Sequence, residues 1–465
     1  MDIAVFSIAA LVIIIIMVVL SRRSRNRALN LPPGSYGWPV LGETVEFFRA
    51  GVDGAPEKFV RKRVEKYNSQ VFKSHIMGEK VVFMCGTAGN KFLFSNENKM
   101  VTVWWPSSVR ELLGQCVSTT AGEEGCVMRK MVSYFVSPDA FTKLYIKRMD
   151  MVSQHHIKTH WQGKDEVEVF PTIKQYTFEL ACRLFMGLED EEHIGKLATM
   201  FNVFLKGIIS IPINFPGTRF WKGKIATRAI KEELLKIVRA RRASPDQKQD
   251  LLSHLLMTPD EKGKYMSESV IVNNILMLLF AGHDTSSVAI TMAMKCLAER
   301  PDIYDKVFKE HEQIGESVQW EDLQKMKYTW SVVCEAMRLA PPVIGAFREA
   351  LTDISYAGYH IPKGSKLYWS ASSTHMDPRL FASNTKFDPS RFEEAPGPAP
   401  YTYVAFGGGP RMCLGKEFAR LEILLFLHNV VKRYRWKLVN PDEKVVCDPM
   451  PTPVYGLPVH LQPHV

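Results

Sequence analysis

The chain has 465 residues, of which 46% are hydrophobic and 23% are charged, and its 59 Lys and Arg outnumber its 49 Asp and Glu to give a net charge of +10. These values are close to those of an ordinary folded protein, so they exclude a disordered tail, a fibrous repeat and a multi-pass channel. A chain of this length buries a large core without disulfide bonds. The eight Cys include no C-x-x-C pair, which argues against zinc fingers and cysteine-ligated clusters. No nucleic-acid-binding motif is present, and we expect no nucleic-acid partner.

The chain begins with an apolar run, Ile3–Leu20, that contains no charged residue. A run of this length predicts one membrane-spanning helix. A cleaved signal peptide is the alternative, but such a peptide carries positive charge before its apolar core, whereas here Asp2 precedes the run and Arg residues follow it. Positive charge stays on the cytoplasmic side, so the body of the protein is predicted to face the cytoplasm. The short span suits the thin bilayer of the endoplasmic reticulum.

A segment rich in Pro and Gly, Leu31–Pro39, separates this span from the rest of the chain. It contains too much Pro and Gly for regular structure and predicts a stiff connector. The sequence therefore predicts an anchor at 1–21, a basic and proline-rich hinge at 22–40 and a catalytic domain at 41–465.

The body is mainly helical in pattern up to about residue 345, with short β-like pieces such as Lys80–Met84. Its longest predicted helix has Ser267 as the cap and Glu268 in the first turn. It continues without Pro to Arg300, and Pro301 ends it. The chain beyond residue 340 is rich in Pro and Gly, which predicts long irregular connections.

The centre of this long helix carries the polar motif Ala281–Ser286, directly after the apolar stretch Ile275–Phe280. A Gly, an acid and two hydroxyl groups are costly to place in the middle of a buried helix. One interpretation is a kink, in which Thr285 hydrogen-bonds back to a carbonyl of the same helix. The other interpretation is a groove opened for a ligand, in which an acid and an alcohol deliver protons.

A glycine-rich loop, Phe406–Gly415, precedes a further predicted helix. Such a loop first suggests phosphate binding, but a P-loop requires Gly at the position of Pro410, and a dinucleotide-binding loop requires Gly at the position of Met412. The loop instead places Cys413 just before a helix N-terminus with Arg411 two residues earlier, and these conditions stabilise a thiolate. A thiolate in this position is either a nucleophile or a metal ligand.

Four motifs of the chain resemble those of the cytochrome P450 family. The loop matches the haem-binding signature at every fixed position, Phe406-x-x-Gly409-x-Arg411-x-Cys413-x-Gly415. The other three resemble the oxygen-activation motif, the helical E-x-x-R and the P-x-R-F, and they are Ala281–Ser286, Glu335–Arg338 and Pro389–Phe392. The resemblance implies the cytochrome P450 fold, which is mostly α-helical with a small β region, here with one N-terminal transmembrane helix.

The resemblance also implies roles for individual residues. Cys413 would be the axial thiolate ligand of the haem iron. Glu335, Arg338 and Arg391 would form a buried ion-pair network that secures the haem loop. The spacing of Glu335 and Arg338 is not specific by itself, because other pairs in the chain share it, but their place between the long helix and the P-x-R-F selects them.

The haem propionates are expected to pair with Arg411, helped by Arg348 and Arg129. The family often has Trp four residues before the position of Arg129, where this chain has Gly125. The cofactor-binding residues implied by the resemblance are Arg129, Arg348, Phe406, Arg411 and Gly415.

The polar motif Ala281–Ser286 of the long helix distinguishes between the reactions known in the family. Asp284 and Thr285 would manage the protons that dioxygen activation consumes, and Ala281 and Gly282 would leave space for oxygen and substrate. Haem-thiolate enzymes that rearrange peroxides dispense with the acid and alcohol, so the resemblance implies a monooxygenase. The alternatives are a haem-thiolate isomerase and a non-enzymatic haem protein.

Three phrases, Lys91–Lys99, Trp104–Pro106 and Pro400–Phe406, resemble plant oxidases of pentacyclic triterpenes such as β-amyrin and its oleanane and ursane relatives. The resemblance implies oxidation of a C–H bond in such a triterpenoid, and a taxane-type diterpenoid is the alternative substrate. A flat apolar polycycle suits a pocket with apolar walls. The candidate pocket residues are Trp104, Trp105, Phe280, Ala281, Gly282, Ile344 and Val454.

The chain contains no flavin or nicotinamide motif, so its electrons have to come from another protein. The resemblance implies haem b as the cofactor, O2 and NADPH as co-substrates, and NADPH–cytochrome P450 reductase in the endoplasmic reticulum membrane as the partner. A basic face would dock the acidic surface of the reductase. Its expected members are Lys130, Lys143, Lys147, Arg148, Lys416 and Arg420.

Overall fold

The computed structural model describes residues 30–39, 41–133, 141–244, 249–393 and 397–464, apart from the side chains of residues 143 and 144. The predicted anchor at 1–21 and part of the predicted hinge lie outside these residues. The helices are Thr44–Val52 (α1), Glu57–Tyr67 (α2), Gly86–Ser95 (α3), Ser107–Leu113 (α4), Gly122–Ser133 (α5), Ile146–His160 (α6), Val169–Met186 (α7), Glu191–Ile208 (α8), Arg219–Ala243 (α9), Leu251–Met257 (α10), Glu268–Glu299 (α11), Pro301–Glu312 (α12), Trp320–Lys325 (α13), Lys327–Leu339 (α14), Ala371–His375 (α15) and Lys416–Val431 (α16). The strands are Val71–Ile76 (β1), Glu79–Met84 (β2), Val101–Val103 (β3), Glu166–Glu168 (β4), Gly345–Ala350 (β5), Ile354–Tyr356 (β6), Tyr359–Ile361 (β7), Lys366–Ser370 (β8), Tyr434–Leu438 (β9), Val445–Cys447 (β10), Pro451–Pro453 (β11) and Pro458–Pro463 (β12).

The long helix α11 runs through the main hydrophobic core. The Ser267 hydroxyl caps it by accepting a hydrogen bond from the Val270 amide, and Pro301 begins the next helix. The predicted helix is therefore confirmed, with a C-terminal end one residue earlier than expected. Its sides pack against α7, α9, α14 and α16, so it is surrounded by other helices of the fold.

Helices α8 and α9 pack closely where Gly207 faces Gly223. A Cβ atom on Gly207 would lie 2.6 Å from the Cα atom of Gly223, so the two backbones can approach this closely only because both residues are Gly. Helix α9 contacts α11, and α8 contacts α7. This pair of helices therefore covers one side of the central helix.

A five-stranded sheet with strand order β1-β2-β8-β5-β3 forms the largest β region among the described residues. Strand β2 runs parallel to β8, and the other pairs are antiparallel. Aromatic rings pack on the sheet, with Phe72 stacked on Phe83 at 4.7 Å and Phe83 against Tyr368 at 4.9 Å. The β-like piece Lys80–Met84 predicted from the sequence lies in β2, and Arg348 of β5 pairs with Val103 of β3 at the sheet edge.

The chain between β8 and α16 is mostly irregular, as its Pro and Gly content predicts. Its glycine-rich loop lies against the end of α3. A Cβ atom on Gly408 would come within 2.5 Å of the Phe94 ring, and Gly409 has a φ of +65° that favours glycine. The glycines therefore let the loop pass close to α3 before α16 begins.

One helix among the described residues, α11, is long and apolar enough to cross a membrane by length and composition. In its most apolar window 67% of the residues are buried inside the protein, so we assign this helix to the core. The apolar run Ile3–Leu20, from which the sequence predicts an anchor, is outside the described residues.

Buried histidines predict a loss of stability in acid. Burial lowers the pKa of His156, His311 and His375 to about 3 and that of His428 to about 4. The unfolded chain binds these protons near pH 6.5, so below this pH the unfolded state holds more protons than the folded state. Burial raises the pKa of Glu422 to about 8. In this pH range the folded state therefore holds one proton more at Glu422 than the unfolded state, which cancels the effect of one histidine. We expect the free energy of unfolding to fall by several kcal/mol between pH 7 and pH 5, at about 1.4 kcal/mol per pH unit for each net proton.

Urea unfolding followed by circular dichroism at several pH values measures this slope. His311→Gln removes one buried titration and is expected to reduce the slope. His460→Gln, in which the histidine is exposed, is the matched control and should keep the parent slope. A stability that is the same at pH 7 and pH 5 would contradict the expected burial of neutral histidines.

Candidate active site

A partly accessible stripe occupies the middle of α11. Leu278 lies three and four residues before Ala281 and Gly282, and Thr285 lies four and three residues after them. The four residues therefore share one face of the helix, and all are partly exposed. The helix is otherwise largely buried, and we therefore assign the stripe to an internal space. A Cβ atom on Gly282 would meet only the Phe185 ring, at 3.5 Å, so this face is open.

The hydroxyl of Thr285 donates a hydrogen bond to the carbonyl of Ala281 at 2.7 Å. This is the back-bond of the first interpretation drawn from the sequence. The two interpretations are compatible, because the hydroxyl oxygen keeps its lone pairs and lies on the accessible stripe.

Asp284 is buried and has a cationic partner on a neighbouring helix. Its Oδ1 atom lies 2.9 Å from the Nζ atom of Lys174 in α7. The Lys174 side chain is 24% exposed, and it lines a cavity of about 210 Å³ together with His160 and His283. The carboxylate is thus shielded from the surface, while its partner contacts a space large enough for several water molecules.

The cysteine loop is closed by its own backbone. The Cys413 amide donates to the Phe406 carbonyl at 2.9 Å, and the residue is accessible at the tip of the loop. Burial by the surrounding atoms raises the pKa of the Cys413 thiol, whereas the Gly415 amide, Arg129 and Lys416 lower it. The backbone amide expected from the sequence is therefore present, but the cations that lower this pKa are Arg129 and Lys416 and not the expected Arg411. Burial outweighs these groups, and coordination by a metal ion is what removes the proton outright.

Aromatic contacts connect the cysteine loop to the stripe. Phe418, in the first turn of α16 after the loop, lies with its ring 5.5 Å from that of Phe185, which is the residue facing Gly282. Helix α16 also packs directly on α11. The loop with Cys413 and the stripe with Thr285 therefore border the same region of the core.

Three arginines gather around the loop. Arg129 donates a hydrogen bond to the Met412 carbonyl, and the Arg348 Nε atom lies 2.7 Å from a carboxylate oxygen of Glu97. Burial lowers the pKa of both Arg129 and Arg348, and repulsion from Arg411 lowers each of them further. Arg411 repels both other arginines, and the one acid in contact with them among the described residues, Glu97, pairs with Arg348 and Arg411. Such an excess of positive charge fits an anionic ligand, and the two propionate carboxylates of haem have this chemistry. The residues present therefore fit a haem whose iron Cys413 would hold.

The predicted ion-pair network is assembled beside this loop. Arg338 donates to both carboxylate oxygens of Glu335, at 2.6 and 2.7 Å, and both side chains are fully buried. Arg391 has its Nε atom 3.4 Å from Glu335, and the amide of Asp388 donates to the same carboxylate at 3.0 Å. The network thus ties α14 to the irregular chain that leads to the loop.

The remaining candidate residues occupy different places. The ring of Phe280 lies 5.9 Å from that of Phe204 in α8, while the Trp105 indole donates to the Ser118 carbonyl. Ile344 is partly buried, and its carbonyl accepts a bond from the Ser372 amide. Trp104 packs against Phe347 in the core of the sheet, and Val454 is 51% exposed. The ring of Phe406 lies 6.4 Å from Trp330, and Gly415 immediately precedes α16.

Two functional contacts were not found from the sequence. Lys174 is the partner of Asp284, and Glu97 is the partner of Arg348. A buried acid requires a cation, and a buried arginine requires an acid, so the need for a partner was foreseeable for each. Neither partner has a local motif that distinguishes it from other charged residues.

Comparison with known proteins shows the family to which the chain belongs. The profile of the cytochrome P450 family matches residues 32–461. The chain therefore belongs to the cytochrome P450 family, as the sequence motifs predicted. The fold agrees, since the structure of the retinoic acid-bound cyanobacterial CYP120A1 superimposes with a TM-score of 0.87 at 35% identity, covering 94% of this chain and 100% of that chain.

Curated relatives are similar over nearly the whole chain. A β-amyrin 28-monooxygenase from Saponaria officinalis is 53% identical, covering 97% of this chain and 95% of the relative. A β-amyrin 28-monooxygenase from Medicago truncatula is 52% identical, covering 94% and 93%. A β-amyrin 6-beta-monooxygenase from Solanum lycopersicum is 45% identical, covering 95% and 94%. The chain is a cytochrome P450 monooxygenase, so the isomerase and the non-enzymatic haem protein are not favoured, and its family implies haem, O2 and electrons from a redox partner.

Loss of the buried Arg338 is expected to release the haem loop. Arg338→Ala leaves the Glu335 carboxylate buried without its main partner, which costs about 3–5 kcal/mol of stability. We expect a lower unfolding midpoint and a lower ratio of haem to protein after purification, measured by urea unfolding and by pyridine haemochrome absorbance.

Arg420→Ala is the matched control, because Glu417 and Arg420 have the same spacing but lie partly exposed at 2.9 Å on α16. A pair that keeps contact with solvent in this way loses less on breaking than a fully buried pair, so the haem content of this variant should stay near that of the parent. Equal stability losses in the two variants would contradict a special role for the buried pair.

Proposed function

We propose that this enzyme inserts one oxygen atom from O2 into a C–H bond of a pentacyclic triterpenoid of the β-amyrin type, at carbon 28. The observation that carries the proposal is the set of β-amyrin 28-monooxygenases that are 49–53% identical over nearly the whole chain. The relative named for position 6 is less similar, at 45% identity. The taxane-type alternative is not favoured, since the relatives from Saponaria officinalis, Medicago truncatula and Solanum lycopersicum are named for β-amyrin.

Haem b held by Cys413 supplies, when bound, the chemistry that activates O2 and attacks the C–H bond. The chain contributes a space beside it and a supply of protons. Ala281 and Gly282 have small side chains or none, so they leave room on the stripe for O2 and for the reacting carbon. Thr285 presents its hydroxyl on the same face, where it donates and accepts hydrogen bonds.

We assign proton delivery to Asp284 and Thr285. Asp284 is held by Lys174, and Lys174 lines the cavity of about 210 Å³. When Lys174 turns toward this cavity, the carboxylate is free to accept a proton from water there and to pass it to the hydroxyl of Thr285.

The substrate pocket is proposed to combine the stripe with apolar groups around it. Phe280 contributes an aromatic face beside α8, and Trp105 has its only polar atom already bonded to a carbonyl. Ile344 and Val454 would close the pocket on the side of the sheet. Such walls suit a rigid apolar polycycle, which needs few polar contacts.

Exposed apolar groups on the surface of the fold support the proposal that the protein lies on a membrane. Exposed apolar side chains occur at Trp38, Leu41, Ile213 and Phe215, in the chain before α1 and between α8 and α9. These segments would touch the endoplasmic reticulum membrane in which the sequence predicts an anchor at 1–21, and the catalytic domain would face the cytoplasm.

NADPH–cytochrome P450 reductase is the proposed electron donor. Among the expected docking residues, Lys130 pairs with Glu261, Arg420 pairs with Glu417, and Arg148 pairs with Glu189. Lys147 is exposed and Lys416 is half-exposed beside the cysteine loop. These two would be the first contacts for an acidic partner surface.

Thr285→Ala is expected to uncouple electron use from product formation, because the hydroxyl that passes protons is lost while the haem ligand is unchanged. The measurement is the ratio of oxidised product to NADPH consumed, which we expect to fall strongly because a positioned proton donor contributes about 10²–10⁴-fold to the step that it serves.

Thr291→Ala is the matched control, because Thr291 makes the same back-bond in α11, to Ser287 at 2.7 Å, but is fully buried. Its coupling should stay close to that of the parent. Equal coupling in the parent and the Thr285 variant would exclude the assigned role.

Product analysis tests the substrate and the position together. The full chain is co-expressed with a plant reductase in cells supplied separately with β-amyrin, α-amyrin, oleanolic acid and a taxadiene, and products are identified by mass spectrometry and NMR. We expect β-amyrin oxidised at carbon 28 and no such product from Cys413→Ser. Oxidation at carbon 6 alone would reject the position, and oxidation of the diterpene alone would reject the substrate class.

A further inference from the structure

A single buried acid lies among the arginines of the haem site. Glu97 follows the end of α3, and its side chain is 1% exposed. One carboxylate oxygen lies 2.7 Å from Nε of Arg348, and the other lies 3.5 Å from Nε of Arg411. The Val103 amide donates to this second oxygen at 3.1 Å. Glu97 is therefore fixed between two of the three arginines by the backbone of β3.

The position of Arg411 depends on an unusual residue of α5. Its guanidinium donates to the carbonyls of Val117 and Thr120, at 3.2 and 2.8 Å. A Cβ atom on Gly125 would lie 3.0 Å from Nη2 of Arg411 and would collide with the Thr120 carbonyl. The departure from the Trp that the family often has at this place therefore makes room for Arg411 beside Glu97.

The charges of this cluster can be counted from its members. Arg129, Arg348 and Arg411 carry three positive charges and Glu97 carries one negative charge, so two positive charges are in excess. The two propionates of haem b carry two negative charges. The negative charge of the Cys413 thiolate cancels the net positive charge of the ferric haem core, so this pair does not enter the count. With Glu97 in place, the buried site is therefore electrically balanced when haem is bound.

We propose that Glu97 is a positioning residue of the haem site that holds Arg348 and Arg411 toward the propionates and, through its charge, sets the reduction potential of the iron. The proposal rests on the assignment of haem b made above. Reduction adds one negative charge to the haem, and in the low-dielectric interior this addition is favoured by each uncompensated positive charge nearby. A chain without the charge of Glu97 would hold an excess cation and would be reduced more easily.

Glu97→Gln separates charge from geometry, because the amide oxygen still accepts from the Val103 amide while the negative charge is lost. The experiment is an equilibrium redox titration of the purified, substrate-free holoenzyme, with the carbon monoxide difference spectrum as the check of the thiolate ligand. We expect the variant to keep the thiolate spectrum and to show a midpoint potential shifted to more positive values. A merely structural role for Glu97 predicts no shift, and an unchanged potential in a variant with intact haem and thiolate would overturn the proposal.

Two further variants keep the proposal testable even where Glu97→Gln fails to bind haem. Arg348→Gln should shift the potential in the opposite direction, and the double variant Glu97→Gln with Arg348→Gln should return it toward the parent value. If Glu97→Gln alone binds no haem, the double variant should bind it again because the charge balance is restored. The proposal would be overturned if neither Glu97→Gln nor the double variant bound haem. It would also be overturned if the double variant kept the full potential shift of Glu97→Gln.

Asp250→Asn is the matched control. Asp250 is also a buried carboxylate paired with an arginine, Arg241, at 2.6 Å, but it contacts none of the three arginines of the haem site among the described residues. Its potential should equal that of the parent. The pyridine haemochrome spectrum of the parent tests the assignment of haem b by itself, and no step of the titration requires the proposed triterpenoid.

Discussion

The buried fork between Arg338 and Glu335 fixes the part of the chain on which the haem ligand depends. The chain between β8 and α16 is mostly irregular, so its conformation has to be specified by contacts with the helical core. Arg338 supplies them by donating to the carbonyls of His375, Asn384 and Lys386, at 3.0, 2.7 and 3.2 Å. A buried ion pair contributes little net stability compared with apolar packing, but breaking it leaves an uncompensated charge. Alternative conformations of this coil are therefore costly.

The constraint continues from Arg338 to Cys413 through His375. The His375 carbonyl accepts from Arg338, and its ring Nε2 accepts from the Val404 amide at 2.9 Å. Burial lowers the pKa of His375 to about 3, so the ring is neutral at physiological pH and Nε2 keeps the lone pair that this bond requires. From Val404 the chain reaches Phe406, whose carbonyl accepts from the Cys413 amide. The ligand loop is thus connected to the core by a continuous series of oriented hydrogen bonds.

The sequence predicted those features whose signals lie within a few residues. The cap at Ser267 and the stop at Pro301 predicted α11, and the match of the cysteine loop to the family signature is the basis for proposing Cys413 as the haem ligand. The partners Lys174 and Glu97 could not be predicted, because each makes its decisive contact with a residue distant in the chain. Only the fold brings α7 beside α11 and β3 beside β5. The rule that a buried charge needs a partner predicts that such contacts exist, but with 59 Lys and Arg in the chain it does not select one.

The two buried acids of the site differ in what surrounds their cations, and this difference separates their roles. Asp284 is paired with Lys174, whose side chain is 24% exposed and borders a cavity. The lysine therefore has room to move, and the Asp284 carboxylate can then exchange a proton with water in the cavity. Glu97 is paired with Arg348 and Arg411, whose side chains are 6% and 8% exposed, and a guanidinium does not lose its proton in a protein. A carboxylate with a mobile partner is suited to passing protons. A carboxylate sealed between two permanent cations is suited to maintaining a constant charge. The proposed haem site would use both kinds of acid, because O2 activation consumes protons and the proposed role of Glu97 requires a charge that does not change.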